Sequence, residues 1–122
     1  MPKLITIIDD EPKNVTLFRD VLQVNGYSTN EATNGKEGVA LVMTSKPDLI
    51  LMDIQMPEMD GLEATRILKA DETTKNIRIL ALSSYAMTGD RERIIAAGCD
   101  GYLSKPINVK EFLKVVGEYL SK

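Results

Sequence analysis

Five short apolar runs alternate along this chain with stretches in which apolar residues recur every third or fourth position. Leu4–Ile8 (LITII) is almost wholly apolar and β-branched, the pattern of a strand buried on both faces. Pro12 suits a first helical turn, and Val15, Phe18, Val21 and Leu22 then follow at helical spacing until Gly26 stops the helix. Tyr27–Ala32 reads as a second strand. Asn34 with Glu37 three residues on marks a helix start, Val39, Val42 and Met43 form its expected inner stripe, and Pro47 ends it. Asp48–Asp53, with its run LILM, is the strongest buried strand in the chain. Gly61–Ala70 reads as a helix with Leu62, Ile67 and Leu68 inward. Ile77–Leu82 is a fourth strand, Asp90–Ala97 a helix closed by Gly98, and Gly101–Ser104 a fifth strand stopped by Lys105-Pro106. Asn108 with Glu111 opens the last helix, whose apolar positions are Val109, Phe112, Leu113, Val116 and Leu120.

Strands alternating with helices build βαβ units, which cross over right-handedly into a parallel sheet covered on both faces. The expected fold is therefore an α/β, flavodoxin-like three-layer sandwich of five parallel strands in the order 2-1-3-4-5. The 122 residues suit a single domain over the whole chain, with no linker or charge block to divide it. In such a sheet ligands gather beyond the carboxyl ends of the strands, at the switch point between strands 1 and 3.

Strand 1 ends in Asp9-Asp10-Glu11, strand 3 in Asp53, strand 4 in Ser83-Ser84 and strand 5 in Lys105-Pro106. Crowded carboxylates repel, and a hard divalent cation relieves them; Mg²⁺ suits one or two carboxylates with waters and phosphate. The ammonium and hydroxyl would hold phosphate oxygens, and an Asp carboxylate can accept a phosphoryl group as an acyl phosphate. Each residue alone has a plainer reading. Asp9 or Asp10 could cap the next helix, Asp53 could be a turn residue before Met56-Pro57, Ser83 a loop hydroxyl, and Lys105-Pro106 a strand stop. The coincidence at four strand ends on one edge favours the site.

Composition narrows the field. Lys+Arg is 15 against Asp+Glu 18, a net charge of -3, which argues against nucleic acid or an anionic membrane as the main partner. Histidine is absent, which excludes His-dependent acid–base chemistry and a His-ligated metal. One Cys forms no internal disulfide, and no signal segment or long apolar run is evident, so a cytoplasmic location is expected. Cys99 reads as small and inert, the Arg91-Glu92-Arg93 run as a solvated helix face, and Met52, Met56, Met59 and Met87 as packing residues near the site.

The motifs IIDDEP (Ile7–Pro12), PDLILMDIQMPEMDGLE (Pro47–Glu63), LALSS (Leu80–Ser84) and GYLSKP (Gly101–Pro106) are ordered and correctly spaced. Over essentially its whole length the chain resembles the receiver domains of bacterial two-component response regulators. The resemblance implies that Asp53 accepts the phosphoryl group, that Asp10 binds Mg²⁺ directly and Asp9 more through water, and that the Gln55 carbonyl is a backbone ligand. It also implies that Ser83 is the switch hydroxyl, that Lys105 serves the phosphoryl group and precedes a cis peptide to Pro106, and that Tyr102 changes rotamer on activation. Ser84 departs from the family's usual Ala or Gly, and Gln55 and Tyr85 occupy positions associated with dephosphorylation. The implied partners are a sensor histidine kinase or a His-phosphotransfer protein, and a downstream protein that reads the face made by helix 4, strand 5 and helix 5. A stand-alone regulator without an output domain is expected, monomeric or weakly dimeric, and not an enzyme beyond its own phosphorylation and dephosphorylation. A Mg²⁺-dependent phosphatase with an Asp nucleophile is the competing reading, but the usual Asp-x-Asp is absent, since Gln55 stands second after Asp53. A flavin- or nucleotide-binding module would want a glycine-rich loop after strand 1, and Asp9–Asn14 has no glycine.

Overall fold

In the computed structural model, residues 2–56, 59–83 and 88–121 are described, with backbone alone for 88–90. The elements are β1 (Leu4–Ile8), α1 (Pro12–Val24), β2 (Ser28–Ala32), α2 (Gly35–Ser45), β3 (Leu49–Asp53), α3 (Gly61–Ala70), β4 (Arg78–Ser83), α4 (Thr88–Ala97), β5 (Gly101–Ser104) and α5 (Val109–Leu120). All strand pairings are parallel, and the order is β2-β1-β3-β4-β5, as the alternation of patterns implies.

Two apolar layers flank the sheet. On one side Ile5, Ile7, Leu49, Leu51 and Leu82 pack beneath α1 and α5, where the Phe18 and Phe112 rings stack with centroids 5.1 Å apart. On the other, Ile8, Ile50, Met52 and Ile79 pack beneath α2, α3 and α4. The alternation along each strand sends successive side chains to opposite layers, which is why the central runs are apolar at nearly every position, Thr6 of β1 being an exception. β3 is buried throughout and ends in Asp53.

Local chemistry sets the boundaries. Asn34 Oδ1 accepts from the Glu37 amide (2.8 Å) and Asn108 Oδ1 from the Glu111 amide (3.0 Å), the two caps read from sequence. Asp60 caps α3 in the same way, accepting from the Glu63 amide at 2.9 Å. Gly26 (φ 89°) and Gly98 (φ 109°) end α1 and α4 in a backbone region that favours glycine. Tyr27 lies between α1 and β2 rather than in the strand, because its amide bonds back to the Leu22 carbonyl. Asp48 lies just before β3 and Ile77 just before β4; the Ile77 amide closes a turn onto the Thr74 carbonyl. α4 begins at Thr88, ahead of the expected Asp90.

Three helix faces differ from expectation. In α2 only Val42 of the expected stripe is fully buried; Gly38 faces Ile8 of β1, and Gly35 is buried against Met59. Ile67 is 37% exposed, because the buried arc of α3 runs through Leu62, Ala64, Thr65 and Leu68 and position 67 falls outside it. Val109 is 39% exposed, since the first residue of α5 lies beyond the sheet that covers Phe112 and Val116.

Candidate functional site

The carboxyl ends of β1, β3, β4 and β5 meet at one edge of the sheet. Asp9 follows β1 directly, with its amide bonded to the Ala32 carbonyl of β2. Its carboxylate is wholly buried, and Oδ1 accepts from the Glu11 amide at 2.9 Å. Asp9 Oδ2 is buried and accepts no hydrogen bond among the described residues; the Lys105 ammonium lies 3.7 Å away. Neither Asp9 nor Asp10 is the cap of α1. Glu11 holds that place, without a side-chain bond, and Pro12 needs none.

Asp53 is 2% exposed at the end of β3. Its Oδ1 accepts from the Gln55 amide at 3.0 Å and faces Lys105 Nζ at 3.3 Å. Burial raises the carboxyl to about pH 6, assisted by the negative charge of Asp9 and opposed by the Gln55 amide and Lys105. Carboxylate oxygens of Asp9, Asp10 and Asp53 lie within 4.8 Å of one another, with Asp10 exposed and the other two buried. This is a donor set suited to a hard cation: three oxygens, one of them buried without a hydrogen bond, and one side open to solvent.

Ser83 is buried as the last residue of β4, opposite Ser104. Lys105 comes next along β5; its amide bonds the Ser83 carbonyl at 2.7 Å, and the peptide to Pro106 is cis. The strand pairing thus brings Ser83 and Lys105 to the same edge as the carboxylates. Tyr102 stands three residues before Lys105, on β5, half-buried against the α2–α4 layer, with the Arg91 guanidinium 5.9 Å from its ring centroid. It borders a groove of about 440 Å³ between α4, β5 and α5. Tyr102 is therefore outside the acidic cluster and in contact with a different surface. Pro57, Ser84, Tyr85 and Met87 lie outside the described residues.

The remaining candidates have ordinary surroundings. Met52 and Met56 are buried and Met59 packs on the same layer. Arg91, Glu92 and Arg93 are exposed. Cys99 is buried, its sulfur 3.6 Å from the Thr65 hydroxyl, and burial pushes its thiol upward, away from thiolate. Sequence reasoning missed Gly35 and Gly61, which approach the loop after Asp53 more closely than any side chain would permit. Their signal was glycine at the first position of each of two helices, behind the caps Asn34 and Asp60.

Among the described residues no helix is long and apolar enough to cross a membrane. The polar-differentiation response regulator DivK of Brucella anthropi is 46% identical over 120 residues, 98% of each chain. The receiver domain of the sensor histidine kinase PA1611 of Pseudomonas aeruginosa, described with a magnesium ion coordinated in its active-site cleft, superposes with a TM-score of 0.93 at 31% identity, over all of both chains. The chemotaxis protein CheY4 of Vibrio cholerae gives a TM-score of 0.93 at 27% identity, covering 98% of this chain and 100% of that one. The profile of the response regulator receiver domain matches residues 5–117, and with it the chain belongs to the receiver domain family of two-component signalling.

Proposed function

We propose that this chain is a phospho-accepting receiver that takes a phosphoryl group onto Asp53 and signals through protein contact. The observation that carries the reading is the buried Asp53 carboxylate, 3.3 Å from a Lys105 ammonium that also faces Asp9 Oδ2, an oxygen that accepts no hydrogen bond among the described residues. Asp10, Asp9, Asp53 and the Gln55 carbonyl would hold Mg²⁺, as the relative from P. aeruginosa holds magnesium in its cleft. The cation supplies charge neutralisation at the phosphoryl oxygens.

The chain's own groups do the rest. An Asp53 oxygen bonds to phosphorus as the donor's P–N bond breaks, and the electron pair leaves with the donor imidazole. The Gln55 amide holds Asp53 Oδ1 in place, so the carboxylate meets the donor in a fixed orientation. Lys105, 16% exposed and set between Asp9 and Asp53, balances two carboxylates before transfer and a phosphoryl oxygen after it. Ser83 donates its hydroxyl to another phosphoryl oxygen and draws the end of β4 inward. Tyr102 then turns from the groove toward the space vacated, which changes the α4–β5–α5 surface that a downstream protein reads.

The donor is a histidine kinase or His-phosphotransfer protein, consistent with a chain that has no histidine of its own. The protein acts on no other substrate, binds neither nucleic acid nor membrane, works as a monomer or weak dimer, and resides in the cytoplasm. Incubation with acetyl phosphate and Mg²⁺ should add one acid-stable, base-labile phosphoryl group per chain. Undiminished labelling of Asp53→Asn would refute the assignment. Beryllofluoride with Mg²⁺ should shift the NMR signals of Tyr102 and α4 as well as those of the pocket; shifts confined to the pocket would refute the switch.

A further inference from the structure

We propose that Gly35 and Gly61 are positioning residues for the Asp53 pocket, Gly61 packing on the backbone of Asp53 and Ile54 and Gly35 on that of Met59. The inference rests on the reading of Asp53 and its neighbours as the phosphoryl and Mg²⁺ site, and it adds two residues that touch neither.

A Cβ on Gly61 would stand 2.3 Å from the carbonyl oxygen of Asp53 and 2.6 Å from the Cα of Ile54. A Cβ on Gly35 would stand 2.5 Å from the carbonyl oxygen of Met59. All three are backbone atoms, so no rotamer change relieves the overlap and the chain itself must move by about 1 Å to reach ordinary contact. The other close glycines differ. Gly38 and Gly101 would first meet the side chains of Ile8 and Tyr119, while Gly26 and Gly117 face open space.

The loop so clasped carries the pocket's backbone groups. Its first residue, Ile54, donates to the Leu82 carbonyl of β4 at 3.2 Å, and Gln55 donates to Asp53 Oδ1 at 3.0 Å. Gly61 also donates to the Ile54 carbonyl at 3.4 Å, and its own carbonyl accepts from the Thr65 hydroxyl at 2.7 Å. The N-termini of α2 and α3 therefore close on the loop because two side chains are missing. Gln55 is held against Asp53 as a result.

Gly61→Ala, Gly35→Ala and, as a control at the opposite end of the sheet, Gly98→Ala test this. Amide hydrogen exchange of Gln55 in Mg²⁺-free protein, taken relative to Leu51 in the core, reads loop position apart from global stability. Gly61→Ala and Gly35→Ala should speed Gln55 exchange relative to Leu51 by about tenfold, and Gly98→Ala should leave the ratio unchanged. Mg²⁺ affinity should fall about tenfold in the first two variants, the scale typical of groups that orient metal ligands, and stay at the wild-type value in the third. If Gly61→Ala does not fold, Gly35→Ala decides alone. An unchanged Gln55 ratio in the folded variants, or an equal change in Gly98→Ala, would overturn the proposal. Wild type that fails to bind Mg²⁺ would instead sink the metal reading, and Gln55 exchange would still decide the positioning role.

Discussion

The two ends of the sheet each hold a lysine against an aspartate, and they treat the pair in opposite ways. At the amino end Lys69 Nζ donates to Asp100 Oδ2 (2.9 Å), to the Ile77 carbonyl (2.9 Å) and to the Lys75 carbonyl (3.2 Å). The same Asp100 oxygen accepts from the Ile79 amide at 2.8 Å, and the Asp100 carbonyl accepts from the Tyr119 hydroxyl at 3.0 Å. Lys69 has thus spent its three donors, and the pair closes the junction of α3, β4 and β5. At the carboxyl end one ammonium, that of Lys105, faces two buried carboxylates at 3.3 and 3.7 Å, and one carboxylate oxygen has no hydrogen bond among the described residues. The same residue types make a latch at one end and an unfinished charge balance at the other. An incomplete balance is what a site needs if a ligand is to complete it.

The largest expected effect lies at the unfinished end. Asp53→Asn should abolish base-labile labelling by acetyl phosphate, whereas Asp100→Asn should leave it within about twofold of wild type, as distant sites are usually independent. Equal losses in the two variants, read by phosphoprotein mass spectrometry, would erase the distinction between the ends.

Mg²⁺ affinity should depend on pH at this end. The Asp53 carboxyl sits near pH 6, so protons compete with the cation, and affinity should fall about tenfold per unit below pH 6. Asp10→Asn should weaken binding further at every pH. Calorimetric titrations across this range check both statements, and a flat profile would break the first.

A sharper comparison replaces each lysine by methionine. Lys69→Met removes the ammonium from Asp100 and leaves the Lys75 and Ile77 carbonyls without that donor, and it should cost about 1–3 kcal/mol of stability, with or without Mg²⁺. Lys105→Met should cost about 1 kcal/mol in metal-free protein, and saturating Mg²⁺ should restore most of it. Urea midpoints with and without the cation decide the matter; identical Mg²⁺ responses would show that both lysines are structural.

The smallest effect follows from linkage. A carboxyl raised from 3.8 to about 6 by folding contributes stability that is full below about pH 4 and is lost as pH rises through 6. Metal-free wild type should therefore be less stable near pH 7 than Asp53→Asn, with the gap closing toward pH 4. Thermal melts over that range measure it, and a gap that widens on acidification would reverse the sign.

The fold was legible because the central strands are nearly pure apolar runs and the helices are not. Leu4–Ile8 and the LILM run could only be central, and their order followed from the alternation. The positions of Asp9, Asp53, Ser83 and Lys105 at one edge followed as soon as the strands were placed. Helix faces were less legible: Ile67 and Val109 are apolar yet outward, while Gly35, Gly38 and Thr65 are inward, since proximity to the sheet selects small residues there as readily as large ones. The latch of Lys69 and Asp100 was invisible, because a charged pair 31 residues apart in sequence has no period. Gln55 was singled out through family likeness alone; its amide reaches Asp53 by the course of a loop, which no hydropathy pattern encodes.

The two outermost strands have a consequence for how the molecule meets others. β2 pairs only with β1, and its sequence, STNEA, is polar except at its end. Thr29, Asn30 and Glu31 are engaged by Gln23, Thr6 and Arg19. β5, at the other margin, has four residues, and Pro106 soon after it brings no amide hydrogen. A polar margin on one side and a short one on the other discourage a foreign strand from extending the sheet. They guard an otherwise very apolar sheet against growth into aggregates, and they leave recognition to helices and loops rather than to backbone templating.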